Sequence, residues 1–206
     1  MSFRIEEKIN IKKGNLYKFY KWLESNSGYQ IYPDRTVCSI YFDNQNLNMY
    51  NDSIEGTVPR KKIRIRTYND SLFKKNKFNL EIKTTSVEGR FKQTKNIDNF
   101  KQKIKFGFFD QNYGICKPKI KIFYNRAYFK VLNFRITLDT NINYSFYEHY
   151  KRNCNITKDE GIIVEIKSQT LAYLNNIQEN FPFQRIRFSK YCRGIEMLYF
   201  NSTTLV

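Results

Sequence analysis

Three short segments place a carboxylate and an ammonium group two residues apart: Glu6-Glu7-Lys8, Glu81-Ile82-Lys83 and Glu165-Ile166-Lys167. In an extended strand such a pair shares one face and sits roughly 7 Å apart. Carboxylate oxygens suit a hard divalent cation of the kind that accompanies phosphate chemistry. The bases beside them suit a polyanion. The same alternation runs from Arg60 to Tyr68, where Lys62, Arg64 and Arg66 alternate with Ile63 and Ile65. Arg90 and Lys92 repeat the two-residue spacing. If the strands close with this polar face inward, the three acid–base pairs surround a shared space. The alternative is an ordinary sheet with its charged face in water, each ion pair worth at most about 1 kcal/mol.

Other reactive side chains offer less. Cys38, Cys116, Cys154 and Cys192 show no C-x-x-C spacing, and His149 is the only histidine. No zinc site is expected from that set, and the cysteines read as reduced structural thiols. The 206 residues carry 36 Lys and Arg against 19 Asp and Glu, a net charge of +17. Such an excess favours polyanionic partners. Neither an apolar signal core nor an apolar run of about 18 residues is present, so a cytoplasmic protein without a transmembrane segment is expected.

These residues need strands to position them. Period-two alternation predicts strands at 4–11, 37–42, 60–68, 79–83, 90–95, 119–129, 134–139 and 162–167, with a short one at 185–189. About eight amphipathic strands suit a barrel or a sandwich. Helical spacing appears at Leu16, Phe19, Tyr20 and Leu23, just after Gly14-Asn15. Weaker spacing marks Phe100 with Ile104, and Leu171, Leu174 with Ile177; a closing helix is expected over 191–200. The polar stretches 51–58 and 70–77 read as hairpin tips. One α+β domain is the economical expectation.

Nine motifs in order resemble the VTC domain, the polyphosphate polymerase branch of the triphosphate tunnel metalloenzymes. They begin with Arg4-Ile5-Glu6-Glu7-Lys8, then Tyr41-Phe42-Asp43-Asn44 with Tyr50, Arg64-Ile65-Arg66-Thr67-Tyr68 and Leu80-Glu81-Ile82-Lys83. Ser86-Val87-Glu88-Gly89-Arg90-Phe91, Pro118 with Tyr124-Asn125-Arg126-Ala127, and Arg135-Ile136-Thr137-Leu138-Asp139 follow. Val164-Glu165-Ile166-Lys167 and Phe188-Ser189-Lys190-Tyr191 complete the set. Two departures stand out. Arg4 occupies a position where hydrolytic relatives carry Glu, and Glu88-Gly89 stands where polymerase members often have Lys-Glu.

The resemblance implies an eight-stranded antiparallel β-barrel with flanking helices and a basic tunnel. It implies phosphate contacts from Lys8, Arg64, Arg66, Lys83, Tyr124, Arg126, Ser189 and Lys190, to which Lys62, Arg90 and Lys167 are added as substrate contacts. Glu165 is the implied principal ligand of Mn²⁺ or Mg²⁺, with Glu6 and Glu81 secondary. The guanidinium forks of Arg64, Arg66 and Arg126 suit bidentate binding of phosphate oxygens, and the lysines act as point charges. The implied activity is transfer of the γ-phosphate of a nucleoside triphosphate, ATP foremost, onto a growing polyphosphate chain. The alternatives are a metal-dependent tripolyphosphatase or nucleoside triphosphatase, or a non-catalytic polyphosphate-binding module. Nucleic acid is not an expected partner, since no base-stacking motif is visible. A stand-alone, bacterial-type form is expected, for which a membrane-protein partner remains open.

Overall fold

Alternating Ile and charged residues form strands because a pleated chain sends successive side chains to opposite faces. The computed structural model describes residues 5–68, 77–147, 155–168 and 181–200. In chain order its elements are β1 (Ile5–Lys12), α1 (Leu16–Ser25), β2 (Tyr29–Asp43), α2 (Asn48–Glu55), β3 (Arg60–Tyr68), β4 (Phe78–Ser86) and β5 (Gly89–Ile97). They continue with α3 (Phe100–Phe106), β6 (Phe108–Asp110), β7 (Gly114–Val131), β8 (Phe134–Phe146), β9 (Thr157–Lys158), β10 (Gly161–Ser168) and α4 (Lys190–Ile195).

The main hydrogen-bonded path is β1-β10-β8-β7-β2-β3-β4-β5, with β6 on β7 and β9 on β8. Registers along β1–β10, β10–β8, β2–β3, β3–β4 and β4–β5 are antiparallel. The fold is α+β, as expected. The closed barrel needs correction: among the described residues the path is open, ending at β1 and β5. β5 bears the marks of a protected edge strand, with Arg90, Lys92 and Lys95 exposed along it.

The chain forms two compact units, each assembled from three stretches. The first unit comprises Met1–Thr36, Tyr124–Ile142 and Lys158–Phe188; the second comprises Val37–Phe123, Asn143–Thr157 and Ser189–Val206. In the first, Ile9, Ile11, Ile136, Leu138, Ile162, Val164 and Ile166 pack with Phe19, Trp22 and Leu23 of α1. Each such side chain contributes about 1.5–3 kcal/mol of burial. Tyr20 was expected in this stripe, but it is exposed and Trp22 takes the inward place. In the second unit, α4 lies so close to β7 and β8 that a Cβ on Gly194 would meet Ile120 Cδ1 and Tyr144 Cδ1 at 2.7 Å.

Three further expectations change. Residues 51–58 are not a hairpin tip; most of them belong to α2, whose first turn is capped from a distance by Asp43. Its carboxylate accepts hydrogen bonds from the Met49 and Tyr50 backbone N–H groups, each at 3.0 Å. Residues 185–189 form no strand: Arg185 makes only an isolated bridge to Ile9. The closing helix begins at Lys190 and widens into a π-turn over Glu196–Phe200. The helical spacing at 171–177, most of the 70–77 stretch, His149 and Cys154 lie outside the described residues.

Candidate functional site

The second unit holds the larger set of bases. On β3 and β4, Ile63 and Ile65 are buried on one face, Arg66 and Glu81 on the other. The solvent-facing alternative therefore fails for these side chains. Register fixes who meets whom. Arg60 faces Thr85, which faces Arg90; Lys62 faces Lys83, which faces Lys92; Arg64 faces Glu81; Arg66 faces Asn79. Neighbouring strands lie about 4.8 Å apart, so the three lysines form a row of like charges directly opposite one another. That arrangement is unfavourable in an empty protein and favourable around an anion.

Glu81 sits inside this set. Arg64 donates from Nε and Nη2 to Glu81 Oε2, the first at 2.7 Å, and from Nη1 to the Tyr41 hydroxyl at 2.7 Å. Lys92 Nζ donates to Glu81 Oε1 at 2.7 Å, and Arg66 Nη1 stands 3.9 Å from Oε2. Arg66 Nε donates to Ser39 Oγ at 3.0 Å. Burial alone would push the Glu81 carboxyl up, but Arg64, Arg66 and Lys92 outweigh it and hold the group far below the carboxylate range. Burial likewise favours the neutral phenol of Tyr41, yet Arg64, Arg66 and Lys190 together bring its pKa below the ordinary value.

The Phe188-Ser189-Lys190-Tyr191 segment meets the same strands. Ser189 caps α4, its Oγ accepting from the Cys192 N–H at 3.4 Å, so this hydroxyl has a structural use. The Tyr191 ring stacks on Tyr41, centroids 5.1 Å apart, and its hydroxyl donates to Asp43 Oδ2. Thus Asp43 ties β2, α2 and α4 together, and Lys190 is brought within electrostatic reach of Tyr41.

The first unit gathers a more balanced cluster. Lys8 faces Glu165, which faces Thr137; Glu6 faces Lys167, which faces Arg135. Lys167 Nζ lies 3.4 Å from Glu6 and 3.5 Å from Glu165. Lys8 Nζ donates to the Phe188 carbonyl at 2.8 Å. Arg126 makes a buried fork with Asp139, Nε and Nη2 donating to the two oxygens at 2.6 and 2.7 Å. The guanidinium lies 5.3 Å from the centroid of the buried Tyr124 ring. Burial would favour loss of its proton, but Tyr124, Asp139 and Glu165 drive the pKa well above the ordinary value. The Thr137 hydroxyl is buried with no hydrogen-bond partner among the described residues.

Among the described residues no three His, Cys, Asp or Glu side chains are grouped to hold a metal. Glu81 does not fit a divalent cation, because cationic side chains engage both of its oxygens. Glu6 and Glu165 fit one in part. They are hard oxygen donors whose cationic neighbours stand off, Lys167 at 3.4 Å from Glu6 and 3.5 Å from Glu165, and Arg126 at 3.8 Å from Glu165. Mg²⁺ or Mn²⁺ commonly takes one or two carboxylates plus substrate phosphates. Arg90 is exposed on β5.

Three partners escaped sequence reasoning: Lys92, Tyr41 and Asp139. Two carried a signal. With the β4–β5 turn at Val87-Glu88, Lys92 must face Lys83. Val131 ends β7 and Phe134 begins β8, and Arg126 and Asp139 each lie five residues from that turn. Tyr41 needed the β2–β3 register, which carries no tight-turn marker.

A VTC domain model matches residues 3–199. The chain belongs to the VTC domain family. This VTC domain is similar in structure to a Bacillus halodurans protein named as a putative adenylate cyclase, with a TM-score of 0.63 and 13% identity over 96% of this chain and 98% of that one. It is also similar to the PH1012 protein from Pyrococcus horikoshii OT3, with a TM-score of 0.51 and 12% identity over 86% and 87% of the two chains. A chain of the Schizosaccharomyces pombe Mediator head module aligns at a TM-score of 0.52 and 7% identity, over 86% and 93%. At these identities the likeness shows the fold alone. No curated protein matches the sequence significantly. No helix among the described residues is long and apolar enough to cross a membrane.

Proposed function

We propose that this VTC domain is a polyphosphate polymerase that transfers the γ-phosphate of a nucleoside triphosphate, ATP in the first instance, onto a polyphosphate chain. The observation that carries this reading is the lysine row Lys62-Lys83-Lys92 beside Arg64 and Arg66, with Glu81 as the one carboxylate in those registered rows. A linear polyanion would lay a line of negative charge along that row.

The chemistry needs little covalent work from the protein. A terminal oxygen of the acceptor chain attacks the γ-phosphorus, forming one P–O bond; the bond to the β–γ bridging oxygen breaks and nucleoside diphosphate leaves. Positioning and charge neutralisation are what the side chains must provide. In the second unit, Arg64 and Arg66 would neutralise charge on the transferred group, and Lys62, Lys83, Lys92 and Arg90 would hold the polyanion in line. Lys190 adds charge at the start of α4. In the first unit, Arg126 is oriented by Asp139, while Tyr124, Lys8 and Lys167 would bind further phosphate oxygens. Glu165 and Glu6 would hold Mn²⁺ or Mg²⁺, which when bound neutralises phosphate charge. Lys167 then has to leave those carboxylates for phosphate.

Purified protein incubated with ATP and Mn²⁺ should yield polymer resolved on a gel, with one nucleoside diphosphate released per phosphate added. Orthophosphate without polymer would make it a hydrolase instead. Tight tripolyphosphate binding without turnover under Mn²⁺ or Mg²⁺ would make it a binding module.

A further inference from the structure

Arg64 uses the Nε–Nη2 edge of its guanidinium on Glu81 and its remaining nitrogen on Tyr41. That edge is the one an arginine offers to a phosphate, since two parallel N–H groups match two oxygens. A phosphate arriving at Arg64 therefore finds a carboxylate already in place. The same carboxylate engages Lys92, whose side chain is 46% exposed while that of Glu81 is only 3% exposed.

Two bland explanations fall short. A simple buried ion pair needs one base, yet Glu81 accepts hydrogen bonds from both Arg64 and Lys92 and stands 3.9 Å from Arg66. Lys62 and Lys83 stand in the neighbouring row. A metal ligand would keep an oxygen open, and both oxygens of Glu81 are engaged.

We propose that Glu81 is a built-in stand-in for substrate phosphate: it holds Arg64, Arg66 and Lys92 together in the empty site and weakens their grip on a bound chain. The inference rests on the phosphate-binding reading above and adds a regulating residue to it. Without Glu81 the bases repel one another until an anion arrives. With it, an incoming phosphate draws Lys92 and Arg66 away from the carboxylate and remains exposed to its repulsion. For a chain that must advance as it lengthens, looser holding favours release.

The test compares wild-type protein with Glu81→Gln, which keeps the shape and removes the charge. Ligand-free Glu81→Gln should melt well below wild type at low salt, and the gap should narrow as sulfate fills the cluster. Its affinity for tripolyphosphate should be roughly ten-fold tighter, the size expected for removing one like charge several ångströms from a bound anion at a partly buried site. If the variant fails to fold at low salt, folding on addition of tripolyphosphate or sulfate gives the same support; failure to fold even then overturns the proposal. Weaker tripolyphosphate binding by the variant than by wild type would also overturn it, leaving Glu81 as a residue that only positions Arg64. If neither protein binds tripolyphosphate, the phosphate-binding reading itself falls and takes this inference with it.

Discussion

The two units present charged strand faces built on the same alternation but balanced differently. On β3–β5 of the second unit, bases stand opposite bases and a single buried carboxylate serves several of them. On β1, β10 and β8 of the first unit, Glu6 faces Lys167, Glu165 faces Lys8, and Asp139 holds Arg126. Alternation alone creates a polar face; the pairing across strands decides whether that face is neutral or hungry for anions. The second-unit face is suited to grip a polyanion, the first-unit face to orient a few groups and to carry a cation.

Replacing Arg64 or Arg66 by Ala should break the second-unit face most severely. Polymer formation by the folded protein should fall roughly 100-fold or more, the usual cost of losing a donor to a reacting group. An initial-rate assay corrected for folded fraction checks it, and near-normal turnover would move the chemistry elsewhere. In the first unit the largest expected effect is on folding. Asp139→Asn strips the buried Arg126 fork of its counter-charge and should cost about 3 kcal/mol in urea unfolding. A negligible loss would mean that Arg126 is held by Glu165, now 3.8 Å away.

Glu165→Gln should sharpen the division of labour by raising the Mn²⁺ concentration needed for turnover about ten-fold while leaving tripolyphosphate binding nearly unchanged. An unchanged Mn²⁺ requirement would shift the metal away from Glu165.

Acid should act with opposite sign on Glu81 and on Glu7, which lies on the opposite face of β1 from Glu6 and Lys8. Glu81 in the folded protein titrates well below the ordinary 4.5, so its contribution to stability is full above that value. It is lost as pH falls, because the unfolded chain takes up the proton first. Glu7 in the first unit is pushed up by burial, with Arg185 only partly offsetting. Its contribution is therefore present at low pH and lost as pH rises through its folded value. Melting curves between pH 3 and 7 (a range of about four units) should show a flatter acid limb for Glu81→Gln than for wild type. The smallest effect is expected for Lys62→Gln, which should raise ligand-free stability by about 0.2–1 kcal/mol by relieving the like-charge contact with Lys83. Destabilisation there would mean that the lysine row is already compensated.

How much of this was legible depended on the range of the interaction. The strands at Arg60–Tyr68 and Gly161–Ser168 were readable because Ile alternates with charge within them, at Lys62-Ile63-Arg64-Ile65-Arg66 and Glu165-Ile166-Lys167. α1 was readable from its spacing, although Tyr20 and Trp22 exchanged places; both are aromatic, and periodicity does not say which ring the core admits. α2 was missed because its first-turn N–H groups are satisfied by Asp43, several residues away on β2, rather than by a local cap. The surroundings of Glu81 were not legible, because a glutamate two residues from a lysine looks the same whether its neighbours across the sheet are water, a cation or three basic side chains.

The sequence by itself determined the eight longer strands, the basic excess, the order of the family motifs and the shared faces of Lys62, Arg64 and Arg66. All of these follow from local periodicity and composition. Only the tertiary structure decided that Lys92 completes a lysine row, that Asp139 claims the fork of Arg126, and that Glu81 lies buried among cations. Pairing partners across strands are set by register, and a shift of one residue sends a side chain to the opposite face. The charge balance of each face is a property of those pairs, which no single strand contains.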